Sequence, residues 1–257
     1  MTAHYPQRRK KRKIFGFFIL LLFSGGAVLA WITYKLIRDL PNPQRITERS
    51  IAESTKIFDR TGKILLYEIH GEEKRTLVSL ADVPENLKHA TLVAEDINFY
   101  KHIGLDWRGI LRAFLVNLLR GNISQGGSTI TQQLVKNSVL TNERTFTRKI
   151  KEALFSLELE RKYSKDEIFE WYLNQIPYGS NAYGVNAAAE TYFSKSLPEL
   201  TLGEIALLAA LPKAPTYYSP YGSHKDELLK RRDWILDRMT EAGFTEKEES
   251  RLAKKER

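Results

Sequence analysis

The sequence predicts a mainly α-helical domain carried on an N-terminal transmembrane helix and bearing one short β-hairpin, and three observations predict it. Ile14–Ile32 (IFGFFILLLFSGGAVLAWI) runs nineteen residues without a charge, close to the ~20 mainly apolar residues a helix needs to cross a bilayer. Ser164-Lys-Asp-Glu167 and Thr201-Leu-Gly-Glu204 are capping boxes, and an apolar run follows each, ending near Asn174 and before Pro212. Around Asp59-Arg60-Thr61-Gly62 two apolar runs flank a turn, which is a hairpin signal.

Charge supports the membrane reading. The 257 residues hold 40 Lys+Arg against 31 Asp+Glu, a formal net charge of +9, and no cysteine. Six of the cations are the unbroken run Arg8, Arg9, Lys10, Lys11, Arg12 and Lys13; removing them leaves 34 basic against 31 acidic residues. The surplus is therefore a topological signal, not a nucleic-acid surface. By the positive-inside rule residues 1–13 form a cytoplasmic tail, 14–34 the anchor, and all that follows lies outside the cytoplasm. A cleaved signal peptide is the rival, since Val28-Leu29-Ala30 is a passable cleavage site, but its apolar region usually runs only about 7–15 residues. Without cysteine there is no disulfide framework, no Cys-based zinc site and no thiol nucleophile.

Along the chain, residues 35–83 read as a linker, marked by Pro41 and Pro43, with the hairpin in its second half. A helix is expected from Pro84, capped by Asp82, with Leu87, Ala90, Thr91 and Ala94 at helical spacing. Trp107–Leu119 (WRGILRAFLVNLL) is apolar on most faces; such a helix is buried in a core or lies at lipid, its arginines snorkelling to phosphates. If Arg144–Lys162 is one helix, then Arg144, Arg148 and Glu152 share a stripe opposite Ile150, Leu154 and Leu157.

Three places could carry chemistry. Glu95-Asp96 ends the first helical segment ahead of Phe99, His102 and Gly104; paired carboxylates at a helix end are either functional or merely solvated. Gly121–Gln133 is a run of glycine, hydroxyl and amide residues that either binds sugar hydroxyls or phosphate oxygens or is a surface loop. It lacks the Gly-Lys-Ser ending of a nucleotide-binding loop. Lys136 to Lys151 gathers Lys136, Arg144, Arg148, Lys149 and Lys151 against Glu143 alone, a cationic face that is either solvated or aimed at an anion. Together these describe a site for an anionic, polyhydroxylated, lipid-borne substrate.

Five motifs in order then carry a resemblance: Glu95-Asp-Ile-Asn-Phe-Tyr-Lys-His-Ile-Gly104; Gly126-Gly-Ser-Thr-Ile-Thr-Gln-Gln133 with Lys136 and Asn137; Arg148-Lys-Ile-Lys-Glu152; Tyr172-Leu-Asn174 leading to Gly179; and Leu202-Gly-Glu-Ile-Ala-Leu-Leu-Ala-Ala-Leu-Pro212. This chain resembles the family 51 glycosyltransferase domain of class A penicillin-binding proteins and monofunctional transglycosylases. The fourth motif departs from the family in Gln175-Ile-Pro-Tyr178. The resemblance implies a lysozyme-like α-helical transglycosylase domain over 84–215. Residues 216–257 are then a helical extension, or the start of a transpeptidase region.

The resemblance also implies an activity: polymerisation of lipid II into β-1,4-linked glycan strands with release of undecaprenyl diphosphate at the cytoplasmic membrane. Glu95 is implied as general base and Glu152 as the second catalytic carboxylate. Lys136, Arg144 and Arg148 are implied as a diphosphate clamp. Asp96, Phe99, His102, Ser128, Thr129, Gln132, Gln133, Asn137 and Asn174 are implied as substrate-binding or site-building residues, His102 through a structural hydrogen bond. No cofactor is required, although Glu152 either orients the cations or helps hold a divalent ion, Mg or Mn, at the diphosphate. The implied partners are lipid II, the growing strand and other cell-wall synthesis proteins. Ser196 and Ser223 lack a lysine at the third following position and no Lys-Thr-Gly exists, so no transpeptidase activity is expected from these residues. A lysozyme-like hydrolase with Glu95 as general acid, and a non-enzymatic cell-wall scaffold, are the competing readings.

Overall fold

Capping chemistry sets where the helices start. In the computed structural model, which describes residues 76–120, 127–138 and 145–256, three strands upstream and a few single positions, both expected capping boxes are formed. Ser164 opens α5 (Lys165–Gln175) and Thr201 opens α7 (Leu202–Ala210), each hydroxyl accepting from the N3 amide while the N3 glutamate reaches back. Apart from the single positions Ser24, Gly26 and Trp31, the anchor expected at 14–34 lies outside the described residues, as do residues 121–126 and Arg144. Among the described residues no helix is long and apolar enough to cross a membrane.

The hairpin forms as expected, with β1 (Thr55–Phe58) antiparallel to β2 (Leu65–Ile69) and a register shift between Ile57 and Phe58. A second, small sheet was not expected: β3 (Lys74–Arg75) pairs in parallel with β5 (Ala182–Tyr183), which pairs with β4 (Pro177–Gly179). The Pro-containing turn of the fourth motif is thus a sheet strand, with Tyr178 buried.

Two helical layers position the site. In the first, α1 (Glu85–Glu95) packs against α7 and against α8 (Lys225–Glu241), burying Leu87, Ala90, Ile205, Leu208, Ile235 and Met239. Asp82 does not cap α1; it closes a short 3-10 turn whose cap is Ser79, and α1 begins behind Pro84 without a side-chain cap. In the second layer, α3 (Ile130–Ser138) packs between α4 (Phe146–Lys162) and α5, around Ile130, Leu134, Phe155, Leu159 and Phe169. Residues from Pro43 to Arg257 form one compact unit. Packing does not break at residue 215, because α8 belongs to the first layer, and after it α9 (Lys247–Ala253) packs on α7 and α8.

Helix α4 turns out differently from its expected span and facing. It starts at Phe146 because Thr145 Oγ1 accepts from the Arg148 amide at 3.1 Å, making Thr145 the cap. Its buried stripe is Glu152, Phe155, Ser156 and Leu159, while Ile150 and Leu157 face outward. α2 (Trp107–Arg120) matches its expected span. It is not a core helix, however: Trp107, Leu118 and Leu119 are 70%, 68% and 85% exposed, and Leu111 and Leu115 are also open.

Candidate active site

Glu95 ends α1 with its carboxyl only 7% exposed. Gln133 of α3 donates from Nε2 to Oε2 at 2.8 Å, and Arg231 of α8 donates from Nη2 to Oε1 at 3.3 Å. Burial pushes the Glu95 carboxyl above the usual carboxylate range, outweighing Arg231, Gln133 and Lys213, which act to lower it. A carboxyl held this way, ready both to take and to keep a proton, suits acid–base work. Lys213 is pushed down by burial and by Arg231, with Glu95 opposing. The Tyr172 and Tyr178 phenols are pushed up by burial first and by Glu95 second, so both remain neutral beside it. Tyr172 also donates to Gln133 Oε1 at 3.5 Å.

The rest of the first motif builds the frame around Glu95. Asp96 accepts from His102 Nε2 at 2.9 and 3.1 Å and from the Ile130 amide at 3.2 Å, joining the end of α1 to the start of α3. A carboxylate can only accept, so His102 carries its proton on Nε2. Phe99 is fully buried, its ring 5.7 Å from that of Phe169 and capped by Lys165 Nζ at 4.3 Å. Gly104 sits at φ +68°, where an added Cβ would stand 3.0 Å from the Ser156 carbonyl group; only glycine turns the chain there without strain.

The second motif divides between frame and site. Thr129 and Gln132 form a capping box on α3: Thr129 Oγ1 accepts from the Gln132 amide at 3.2 Å, and Gln132 Oε1 accepts from the Thr129 amide at 3.0 Å. Thr129 Oγ1 also donates to the Gly104 carbonyl at 2.6 Å, tying the first two motifs together. Asn137 donates to the Gln133 carbonyl one turn back at 2.8 Å. Lys136, exposed, follows Gln133 by three residues on the same face of α3. Asn174, from the fourth motif, is held in the frame: its Oδ1 accepts from the Val78 amide at 2.9 Å and its Nδ2 donates to Val78 and Glu170 carbonyls at 2.8 and 2.9 Å.

The second carboxylate, Glu152, is 2% exposed and paired with Lys149 Nζ. Lys149 also donates to Ser128 Oγ at 2.8 Å, so α4 and the start of the second motif meet through one ammonium. Arg148 is half-buried, with a buried Nε that has no hydrogen-bond partner among the described residues. The Lys149 ammonium neutralises Glu152, and among the described residues no group of three His, Asp or Glu stands together. Sequence reasoning did not point to Lys213 or Arg231, and it named Lys149 only as one of the cations between Lys136 and Lys151. Lys149 stood three residues before Glu152, a helical pairing distance, whereas Arg231 gave no local signal.

The Transglycosylase family model matches residues 62–240. The chain belongs to the transglycosylase family. Among relatives of this transglycosylase, penicillin-binding protein 1A of Aquifex aeolicus is 47% identical over 226 residues, covering 88% of the chain and 30% of that protein. Penicillin-binding protein 1A of Pseudomonas aeruginosa is 41% identical over 93% of the chain and 28% of its own length. Penicillin-binding protein 1A/1B of Bacillus subtilis is 40% identical over 97% of the chain and 28% of its own length. The chain thus spans less than a third of the curated relatives it matches. The crystal structure of penicillin-binding protein 1A from Haemophilus influenzae aligns with 30% identity and a TM-score of 0.45, over 80% of this chain and 21% of that one. The transglycosylase match runs past residue 215 and takes in Arg231.

Proposed function

We propose that this domain is a peptidoglycan glycosyltransferase that polymerises lipid II. The 4-hydroxyl of an acceptor sugar attacks the anomeric carbon of the growing strand, the bond to undecaprenyl diphosphate breaks, and the hydroxyl proton passes to Glu95. The buried Glu95 carboxyl, gripped by Gln133 and Arg231, is the observation that carries the reading. A base must also be near positive charge for the leaving group. Gln133 supplies that link, since the helix that touches Glu95 presents Lys136 on the same face. Lys149, Lys136 and Arg148, with Arg144, offset the charge that grows on the departing diphosphate. Glu152 holds Lys149 in place for this, and no step needs a metal.

The outward face of α2 is read as a surface that rests in lipid, with the domain held by a single-pass anchor on the outer side of the cytoplasmic membrane. Its exposed Trp107, Leu111, Leu115, Leu118 and Leu119 form a patch that water does not favour, and the substrate's polyprenyl tail stays in the bilayer. This face favours polymerisation over strand hydrolysis, which has no use for it. The test is Glu95→Gln with labelled lipid II. Lipid II binding stays within about twofold while strand formation falls by about 100-fold or more, the size of a general-base contribution; wild-type turnover in this variant refutes the assignment.

A further inference from the structure

Arg231 lies outside the five motifs, yet it reaches the centre of the site. Its side chain is 10% exposed. Nη2 donates to Glu95 Oε1 at 3.3 Å and to the Ala94 carbonyl at 3.2 Å, Nε donates to the Ala210 carbonyl at 3.3 Å, and Cζ stands 5.4 Å from the centre of the Trp234 ring. Ala94 is in the last turn of α1 and Ala210 ends α7, so both carbonyls carry the partial negative charge of a helix C-terminus. One planar cation therefore joins α1, α7 and α8 at the carboxylate that does the chemistry.

We propose that Arg231 is a positioning residue for Glu95, fixing its carboxylate in the attacking geometry and keeping it available in its proton-accepting form. The inference rests on the reading of Glu95 as the base. The other groups facing Glu95 cannot replace it. Tyr172 and Tyr178 are neutral, Asp96 is committed to His102 and the Ile130 amide, and Gln133 supplies a hydrogen bond without charge. Lys213 acts on Glu95 by charge alone, without a hydrogen bond to it, and burial and Arg231 both work against its protonation. A lysine at 231 would retain the charge and lose the fork that bonds carbonyl and carboxylate together.

The test compares the full chain with Arg231→Gln, Arg231→Lys and Glu95→Gln, measuring strand formation from labelled lipid II across pH, together with KM and thermal unfolding. Without the cation Glu95 holds its proton to higher pH. In Arg231→Gln, kcat falls with KM within about twofold, and the deficit is at least about tenfold larger at the foot of the acidic limb than on the plateau. Arg231→Lys keeps the limb in place and lowers the plateau. A deficit equal at every pH, or a raised KM with unchanged kcat, overturns the inference. Should the glutamine variant fail to fold, Arg231→Lys decides: a lowered plateau at wild-type KM and melting temperature supports the inference, and a wild-type plateau overturns it. Wild-type turnover by Glu95→Gln sinks the base reading itself, whereas an inactive Glu95→Gln beside a pH-independent deficit in Arg231→Gln sinks only the role of Arg231.

Discussion

Asp96 sits next to Glu95 in sequence, and its replacement separates frame from substrate contact. Its carboxylate is the acceptor for two buried donors, His102 Nε2 at 2.9 Å and the Ile130 amide at 3.2 Å, and His102 Nδ1 already lacks a partner. Asp96→Ala orphans both donors at about 1–3 kcal/mol each, in line with the roughly 3–5 kcal/mol for breaking a buried pair. At about 2–4 °C per kcal/mol for a domain of this size, melting drops by roughly 6–20 °C. Asp96→Asn keeps one acceptor oxygen for the same donors and costs about 1–2 kcal/mol. Urea unfolding followed by circular dichroism, with an unchanged m-value, gives the comparison. If Asp96→Ala loses less than about 1 kcal/mol while lipid II affinity collapses, Asp96 is a substrate group and the frame reading fails.

Lys149→Met strands the buried Glu152 carboxylate; because Lys149 is nearly half exposed, the loss is about 1–2 kcal/mol, below the full penalty for a buried pair. Turnover falls by about tenfold to a hundredfold if the ammonium serves the leaving diphosphate. Adding Glu152→Gln restores stability without restoring turnover, and recovery of both in the double variant rules out the phosphate role. For the α2 face, brominated lipids quench the Trp107 emission of the full chain in proteoliposomes, a component lost in Trp107→Phe; equal quenching of the two proteins rejects the lipid-facing assignment.

Local rules made most of the fold legible. Capping boxes gave α5 and α7 their starts, and turn chemistry gave the hairpin. They said less at α4, where Glu152 was placed on a stripe with Arg144 and Arg148 opposite Ile150, Leu154 and Leu157, and where Glu152 is turned inward with Phe155, Ser156 and Leu159. Periodicity marks which residues share a face, but packing against α3 decides which face turns inward, and here it takes the one that carries Glu152. Thr129, Gln132 and Asn174 show a second limit. The hydroxyls and amides that can hold a sugar can equally close a helix end or bind a strand, and only the fold reveals which donors lie within reach. The Thr129-x-x-Gln132 spacing was itself a capping signal. Arg231 was beyond any window, since its partner Glu95 lies 136 residues away.

That separation has a consequence for how the protein comes into being. Glu95 meets its partners in the order of synthesis, first Gln133 of α3 and last the guanidinium of α8. Contacts so far apart form only after the intervening chain is made and threaded into place. A nascent polypeptide made only as far as Pro212 already holds all five motifs, but its Glu95 still lacks the guanidinium that α8 brings.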